Sequence, residues 1–283
     1  MIDTDTPDIP FRLDGYRVVV AGGSRGIGRS MALAFAQAGA GVSVCARGES
    51  ALTEVAQAIR AQGVVTHTQS CDLADGAAID DYIAAAARAL GGIDVLVNNA
   101  GIGQSSERAD QRRAPIRFWE VTQEQWSRFV AVNATAPIMM ARAVLPHMLQ
   151  AKRGRIITVT TSLGTMVRGG YLLYGASKAA AEAAMAGLSA DLDGTGVTSN
   201  VLVPGGVTNT PLVGGDAGDR DRMLQPEIMV PPLLWLVSDT ASVVNGRRFI
   251  AADWDSALPP EQAAEKAGAP IAWMSIARMP IEP

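Results

Sequence analysis

Short unbroken apolar runs alternate along this chain with longer stretches whose apolar residues recur three and four positions apart. The first run, 17–21, reads Arg-Val-Val-Val-Ala, and 27–38 then takes helical spacing. The same alternation predicts further strands at 41–46, 64–70, 95–98, 155–160, 198–203 and 248–251. It predicts helices at 50–62, 76–90, 123–150 and 174–192, with Pro137 and Pro146 as points where the third of these is interrupted or bent. Strands apolar at nearly every position have no solvent face, so they belong to a parallel sheet covered on both sides. Strand and helix alternate without an internal repeat. The expected architecture is therefore α/β, one doubly wound parallel sheet of about seven strands flanked by helices.

Two stretches break the rhythm. Residues 103–117 are polar and charged and read as a loop, and 213–225, rich in Gly and Asp, read as a lid over a site. This divides the chain into an N-terminal extension (1–14), a catalytic domain (15–255) and a tail (256–283) that wraps the domain or a neighbouring subunit. At 283 residues, one large domain suffices. Aromatics make up only 5%, so small apolar residues fill the core. A net charge of −4 with scattered basic residues argues against nucleic acid as a partner. The acidic start lacks the basic and apolar regions of a signal peptide, and no uninterrupted apolar run reaches membrane-spanning length. A cytoplasmic protein with no membrane partner is expected. Cys45 and Cys71 are too few for a disulfide framework, and no Cys/His set has zinc spacing, so they read as small buried residues near strand ends.

Chemistry enters at two places. After the first strand, Gly22, Gly26 and Gly28 enclose Ser24, Arg25 and Ile27 in a Gly-x-x-x-Gly-x-Gly turn. Glycine permits the tight turn and the close approach of a phosphate, which the amides at the helix start would receive. The second strand ends Cys45-Ala46-Arg47 with no carboxylate at its tip. An acid there would favour a free ribose 2′-hydroxyl; Arg47, with Arg25 as a second guanidinium, favours a 2′-phosphate and hence NADP(H) over NAD(H). Far downstream, Tyr174 and Lys178 are spaced i, i+4 in Tyr-Gly-Ala-Ser-Lys, which stacks both side chains on one helix face. A free phenol has a pKa of about 10. An ammonium about 4 Å away, at an effective dielectric of ~20, would contribute on the order of 4 kcal/mol and lower it by roughly three units. Tyr174 is thus the candidate proton donor and acceptor. Neither His67 nor His147 lies near a motif.

With these motifs in order, together with Asp72, Asn98-Asn99-Ala100-Gly101, Asn133 and Pro204-Gly205, residues 15–255 resemble the short-chain dehydrogenase/reductase family. The resemblance implies a Rossmann fold, a nicotinamide cofactor and interconversion of a carbonyl and a secondary alcohol. It implies that Asp72 and Leu73 meet the adenine, and that Asn98, Asn99, Ala100 and Gly101 support the central strand and the cofactor. Val207, after Pro204-Gly205, would meet the carboxamide through its backbone, with Thr208 or Thr210 nearby. Lys178 would hold the nicotinamide ribose, and Asn133 would bind a water linking the lysine to bulk solvent. The chain departs from the family pattern thirteen residues before the tyrosine, where the usual serine is Thr161. Thr161, or Ser162 if the loop shifts by one, is the candidate hydroxyl for the substrate oxygen.

The pocket is expected to draw on Gly103, Gln104, 163–173 and the lid. Met166, Tyr171, Leu172 and Leu173 point to a small carbonyl or alcohol substrate that is largely apolar. By resemblance, helices near 123–150 and 175–192 form the faces of a homodimer or homotetramer. The alternative is an NADP-binding sensor or scaffold on the same fold, which would have lost Tyr174 or Lys178; both are present.

Overall fold

The computed structural model describes residues 11–215 and 218–276. The chain opens with β1 (Arg17–Ala21), α1 (Gly26–Gln37), β2 (Gly41–Ala46), α2 (Glu49–Arg60), β3 (Thr66–Ser70), α3 (Gly76–Leu90) and β4 (Val95–Asn98). It continues through α4 (Gln123–Val130), a π-helical turn (Ala131–Thr135), α5 (Ala136–Ala151), β5 (Gly154–Val159), the short α6 (Leu163–Met166), α7 (Leu172–Asp191) and β6 (Val197–Val203). The last part holds α8 (Val230–Val237), β7 (Arg247–Ile250), α9 (Pro260–Ala267) and β8 (Gly268–Pro270).

The strands form one sheet in the order β3-β2-β1-β4-β5-β6-β7-β8. Seven are parallel, and β8 runs antiparallel to β7 through Arg247↔Pro270, Arg248↔Ala269 and Phe249↔Gly268. The sheet therefore has eight strands where about seven were expected, the extra one coming from the tail. Gly-Ala-Pro carries no strand pattern of its own; the open edge of β7 makes it a strand.

Alternation along the strands separates two apolar layers. Val18, Val20, Val95, Val97, Ile157 and Leu202 face α1, α2 and α8, where Met31, Phe35, Val55, Leu233 and Trp235 meet them. Val19, Ala21, Leu96, Ile156, Val201 and Val203 face α3, α5 and α7, against Ile79, Tyr82, Met140, Val144 and Met185. The run Gln123–Ala151 has a mean hydropathy of 1.4 over its most apolar stretch, long and apolar enough by composition to cross a membrane. In this fold its apolar face is the second core layer.

The long helix expected over 123–150 is divided by the π turn. Pro137 lies just after the turn in the first turn of α5, where its missing N–H is tolerated, and Pro146 stays within the helix. Helix α8 was not foreseen: Pro-Pro-Leu-Leu-Trp-Leu-Val has no polar positions to reveal a period, and its prolines sit in the first turn. Cys45 and Cys71 are both buried and free of disulfides, as expected. Part of the N-terminal extension (1–10), two residues of the lid (216–217) and the end of the tail (277–283) lie outside the described residues.

The strand order reverses between β1 and β4, and the crevice past their carboxyl ends is where an open α/β sheet binds ligands. The chemically distinctive residues converge there.

Candidate active site

A cavity of about 600 Å³ runs along that crevice from Arg47 and Asp72 at one end to Thr161, Tyr174 and Lys178 at the other. At its floor, Gly22 (φ +72°) turns the chain out of β1, and a Cβ there would stand 2.7 Å from the Ala100 Cα. A Cβ on Gly28 would fall 2.2 Å from the Gly22 carbonyl and 2.4 Å from Asn99 Nδ2. That space is taken by a hydrogen bond from Asn99 Nδ2 to the Gly22 oxygen, 2.9 Å, tying the glycine turn to the end of β4. Helix α1 starts beside it with no side-chain cap from Arg25 and no acid in its first turn. Its leading N–H groups are thus free to meet an anion entering the cavity.

Ser24, Arg25, Gly26, Ile27, Arg47, Asp72, Leu73, Ala100 and Gly101 all line this half. Asp72 Oδ1 accepts from the Ala74 N–H at 3.1 Å, which shapes the turn after β3. Pro204, Gly205, Val207, Thr208 and Thr210 close the cavity from the β6 side. The Thr208 hydroxyl donates to the Gly206 oxygen at 3.3 Å, and the Thr210 methyl packs over Gly26. Both threonines touch the cavity.

The catalytic end is built on α7. Gly175 lets this helix press against α6: a Cβ there would stand 2.6 Å from the Thr165 oxygen. Tyr174 packs its ring on Ile116, Phe129 and Leu173. Burial pushes its phenol up to about 12, with the nearby Thr161 side chain acting in the opposite sense. One turn on, Lys178 is buried, donates from Nζ to the Val159 oxygen at 2.9 Å, and is brought down to about 8 by burial. Desolvation moves each group away from its charged form.

Asn133 sits in the π turn between α4 and α5, fully buried. Its side chain clamps the backbone of Ile102, accepting from the N–H at 2.9 Å and donating to the oxygen at 3.0 Å, and also reaches Ser177 Oγ at 3.0 Å. Its amide therefore anchors the segment that follows Gly101 beside Lys178, while π turns of this kind occur frequently at functional sites. Asn98 Nδ2 binds the Pro137 oxygen and Thr158 Oγ1, holding β4 to its neighbours. Ser162 caps α6 through Thr165.

The substrate end matches expectation in part. Gln104, Thr165, Arg168 and Tyr171, with Val213 of the lid and Leu212 just before it, line the cavity, joined by Gln111 and Arg112, whereas Met166 and Leu173 are interior residues. Arg168 lies over the Tyr171 ring at 4.8 Å. The 103–117 loop, of which Gly103 and Gln104 were expected at the pocket, also brings Gln111 and Arg112 there, because Gln104 and Gln111 both donate to the Gly170 oxygen and fold it over the site. His67 binds Ser43 Oγ from β3, and neither it nor His147 lines the cavity.

Two buried charges near the site were also missed. Glu182 stands one turn beyond Lys178, and Arg248 pairs with it from β7 at 2.8 Å. The lone acid on an Ala-rich helix face, again at i+4, was the available signal for Glu182.

Comparison with known proteins agrees with this geometry. The short chain dehydrogenase family model matches residues 16–220. The chain is 32% identical over 252 residues to gluconate 5-dehydrogenase of Gluconobacter oxydans, covering 85% of this chain and 94% of that protein. It is 37% identical over 213 residues to 1-deoxy-11-beta-hydroxypentalenate dehydrogenase of Streptomyces exfoliatus, covering 74% of each. Among solved structures, a short chain dehydrogenase from Burkholderia cenocepacia in complex with NADP superposes with a TM-score of 0.73 at 29% identity, covering 83% of this chain and 95% of that one. The relatives are dehydrogenases, and the chain belongs to the short-chain dehydrogenase/reductase family of NAD(P)-dependent oxidoreductases.

Proposed function

We propose that the protein interconverts a ketone and a secondary alcohol with NADP(H) as hydride carrier. The observation that carries this reading is that Thr161, Tyr174 and Lys178 line the same cavity as the glycine turn before the uncapped start of α1. When bound, the nicotinamide supplies or takes the hydride. The glycine turn and the first amides of α1 would hold its pyrophosphate, Asp72 and Leu73 its adenine side, and Arg25 and Arg47 its 2′-phosphate. The absence of a carboxylate at the end of β2 favours NADP(H) over NAD(H).

The Thr161 hydroxyl holds the substrate oxygen, and Tyr174 gives it a proton during reduction. A phenol near 12 is fully protonated at neutral pH, which suits reduction; the reverse reaction needs the phenolate and gains rate as pH rises. Lys178 spends one of its three N–H donors on the Val159 oxygen, and the others are left for the ribose hydroxyls. Asn133 fixes Ile102 beside this lysine. Ser162 is occupied as the cap of α6, so Thr161 is the substrate-binding hydroxyl. A substrate of mixed polarity, with an apolar part against Tyr171, Leu212 and Val213 and a polar part towards Gln104, Arg112 and Arg168, fits the lining better than a wholly apolar one.

The test is a titration of NADPH against NADH by fluorescence, then a panel of ketones and alcohols with the preferred nucleotide. Turnover that disappears in Tyr174→Phe while NADPH still binds supports the reading. Binding of neither nucleotide would end it.

A further inference from the structure

Outside the proposed machinery, Glu182 and Arg248 form a buried ion pair whose side chains are 0% and 5% exposed. Taking such a pair out of water costs several kcal/mol per ion and is offset only if the remaining lone pairs and N–H groups find partners. Their partners are not spread at random. Glu182 Oε1 receives Arg248 Nε at 2.8 Å and the Ala272 N–H at 3.1 Å, while Oε2 receives the Thr160 hydroxyl at 2.7 Å. A second guanidinium nitrogen of Arg248 donates to the Thr161 oxygen at 2.9 Å. Two consecutive residues leaving β5 are thus gripped, one by its hydroxyl and the next by its carbonyl. The second lines the cavity together with Tyr174.

We propose that Glu182 and Arg248 are positioning residues: their ion pair fixes the Thr160–Thr161 turn so that the Thr161 hydroxyl faces Tyr174, and it ties that turn to the C-terminal segment through Ala272. The proposal rests on the role given above to Thr161. Stability alone does not call for the arrangement, since apolar replacement of a buried ion pair is often neutral or stabilising. Tyr174, Lys178 and Glu182 lie at i, i+4 and i+8 of α7, so one helix carries the proton donor, the buried lysine and the anchor of the hydroxyl opposite. Any drift of α7 relative to β5 would be transmitted through Thr160 to the same site.

The decisive protein is the full chain carrying Glu182→Gln and Arg248→Met together. The glutamine keeps an acceptor for the Ala272 N–H and a donor for Thr160, and the methionine fills the space of the arginine stem without a charge. The expected result is a melting temperature near that of the wild type, with kcat lowered about ten-fold or more and KM changed by less than about two-fold. The alkaline midpoint of alcohol oxidation should move up, because the hydroxyl that lowers Tyr174 is no longer held against it. Amide exchange over 160–163 should rise about ten-fold while the sheet core stays protected. Wild-type kcat, midpoint and exchange in this stable variant would overturn the proposal and leave the pair a packing device. Should the double variant not fold, Thr160→Val removes one grip alone; it is expected to show the same signature at smaller size, and unchanged exchange over 160–163 would overturn the proposal. If the wild type turns over no ketone or alcohol, the reductase reading fails by itself. The exchange measurement then decides whether the pair positions this turn.

Discussion

Replacing Lys178 by methionine should stabilise the protein at neutral pH while abolishing turnover. The lysine is buried, its Nζ reaches the Val159 oxygen, and desolvation alone accounts for its depression from 10.5 to about 8. At about 1.4 kcal/mol per pH unit, keeping the ammonium charged inside the fold costs about 3 kcal/mol. Methionine has similar length and removes that cost. It also removes the bond to the Val159 oxygen, which offsets about 1–2 kcal/mol. The net expectation is a gain of about 1–2 kcal/mol at pH 7. The sign then depends on pH. Because the folded-state value lies below the unfolded one, the folded chain binds fewer protons between pH 8 and 10.5, and wild-type stability rises across that window. Above it the wild-type lysine is neutral and keeps its hydrogen bond, so the wild type becomes the more stable protein by about 1 kcal/mol. The assay is urea unfolding followed by tryptophan fluorescence at fixed protein concentration, for both proteins, from pH 6 to about 10.5. Other titrating groups contribute to both curves and cancel in the difference. A wild-type-minus-variant gap that stays flat with pH would refute the reasoning, whatever its size.

Three further outcomes are expected. Thr161→Ser keeps the hydroxyl and should retain activity within about five-fold, whereas Thr161→Val should lower kcat by about 10²-fold with NADPH binding intact, as steady-state kinetics and fluorescence titration would show. Arg47→Asp places a carboxylate at the end of β2 and should weaken NADPH by about ten- to hundred-fold while leaving NADH unchanged or tighter, measured by competitive titration. Gly28→Ala puts a methyl 2.2 Å from the Gly22 oxygen and should cost about 1–3 kcal/mol in unfolding experiments and abolish nucleotide binding, because the turn and α1 must separate.

The sheet and its helices were legible because alternation is a direct record of burial. Val18 and Val20 point to one layer and Val19 to the other, and such a strand can only be central. The glycine turn was legible because close approach excludes every side chain, and the sequence shows where none is present. What escaped has no local signature. β8 exists only by pairing with β7, and α8 is apolar on every side and so has no period. Gln111 and Arg112 reach the cavity through the fold of a loop that sequence pattern describes only as polar. The spacing of Tyr174 and Lys178 correctly brought both to one face and one cavity. It did not show that Lys178 would turn towards Val159 and that burial would govern both groups.

That last difference bears on how the site works. A helix face can be read from spacing because it depends on backbone geometry, whereas a pKa depends on everything packed against the group. On α7 the neighbours of the polar stripe are Gly and Ala, which let the surrounding strands and α6 approach closely enough to strip water from Lys178 and Glu182 and in part from Tyr174. The same small residues that make the helix easy to pack thus desolvate the groups it carries. Glu182 is answered by Arg248, but among the described residues Lys178 receives only a carbonyl oxygen. The compensated charge lies behind the hydroxyl that must stay still, and the uncompensated one faces the cavity. A fold selected for stability alone would place a neutral side chain at 178; keeping an ammonium there is consistent with a group whose partner is the ligand that the cavity is shaped to receive.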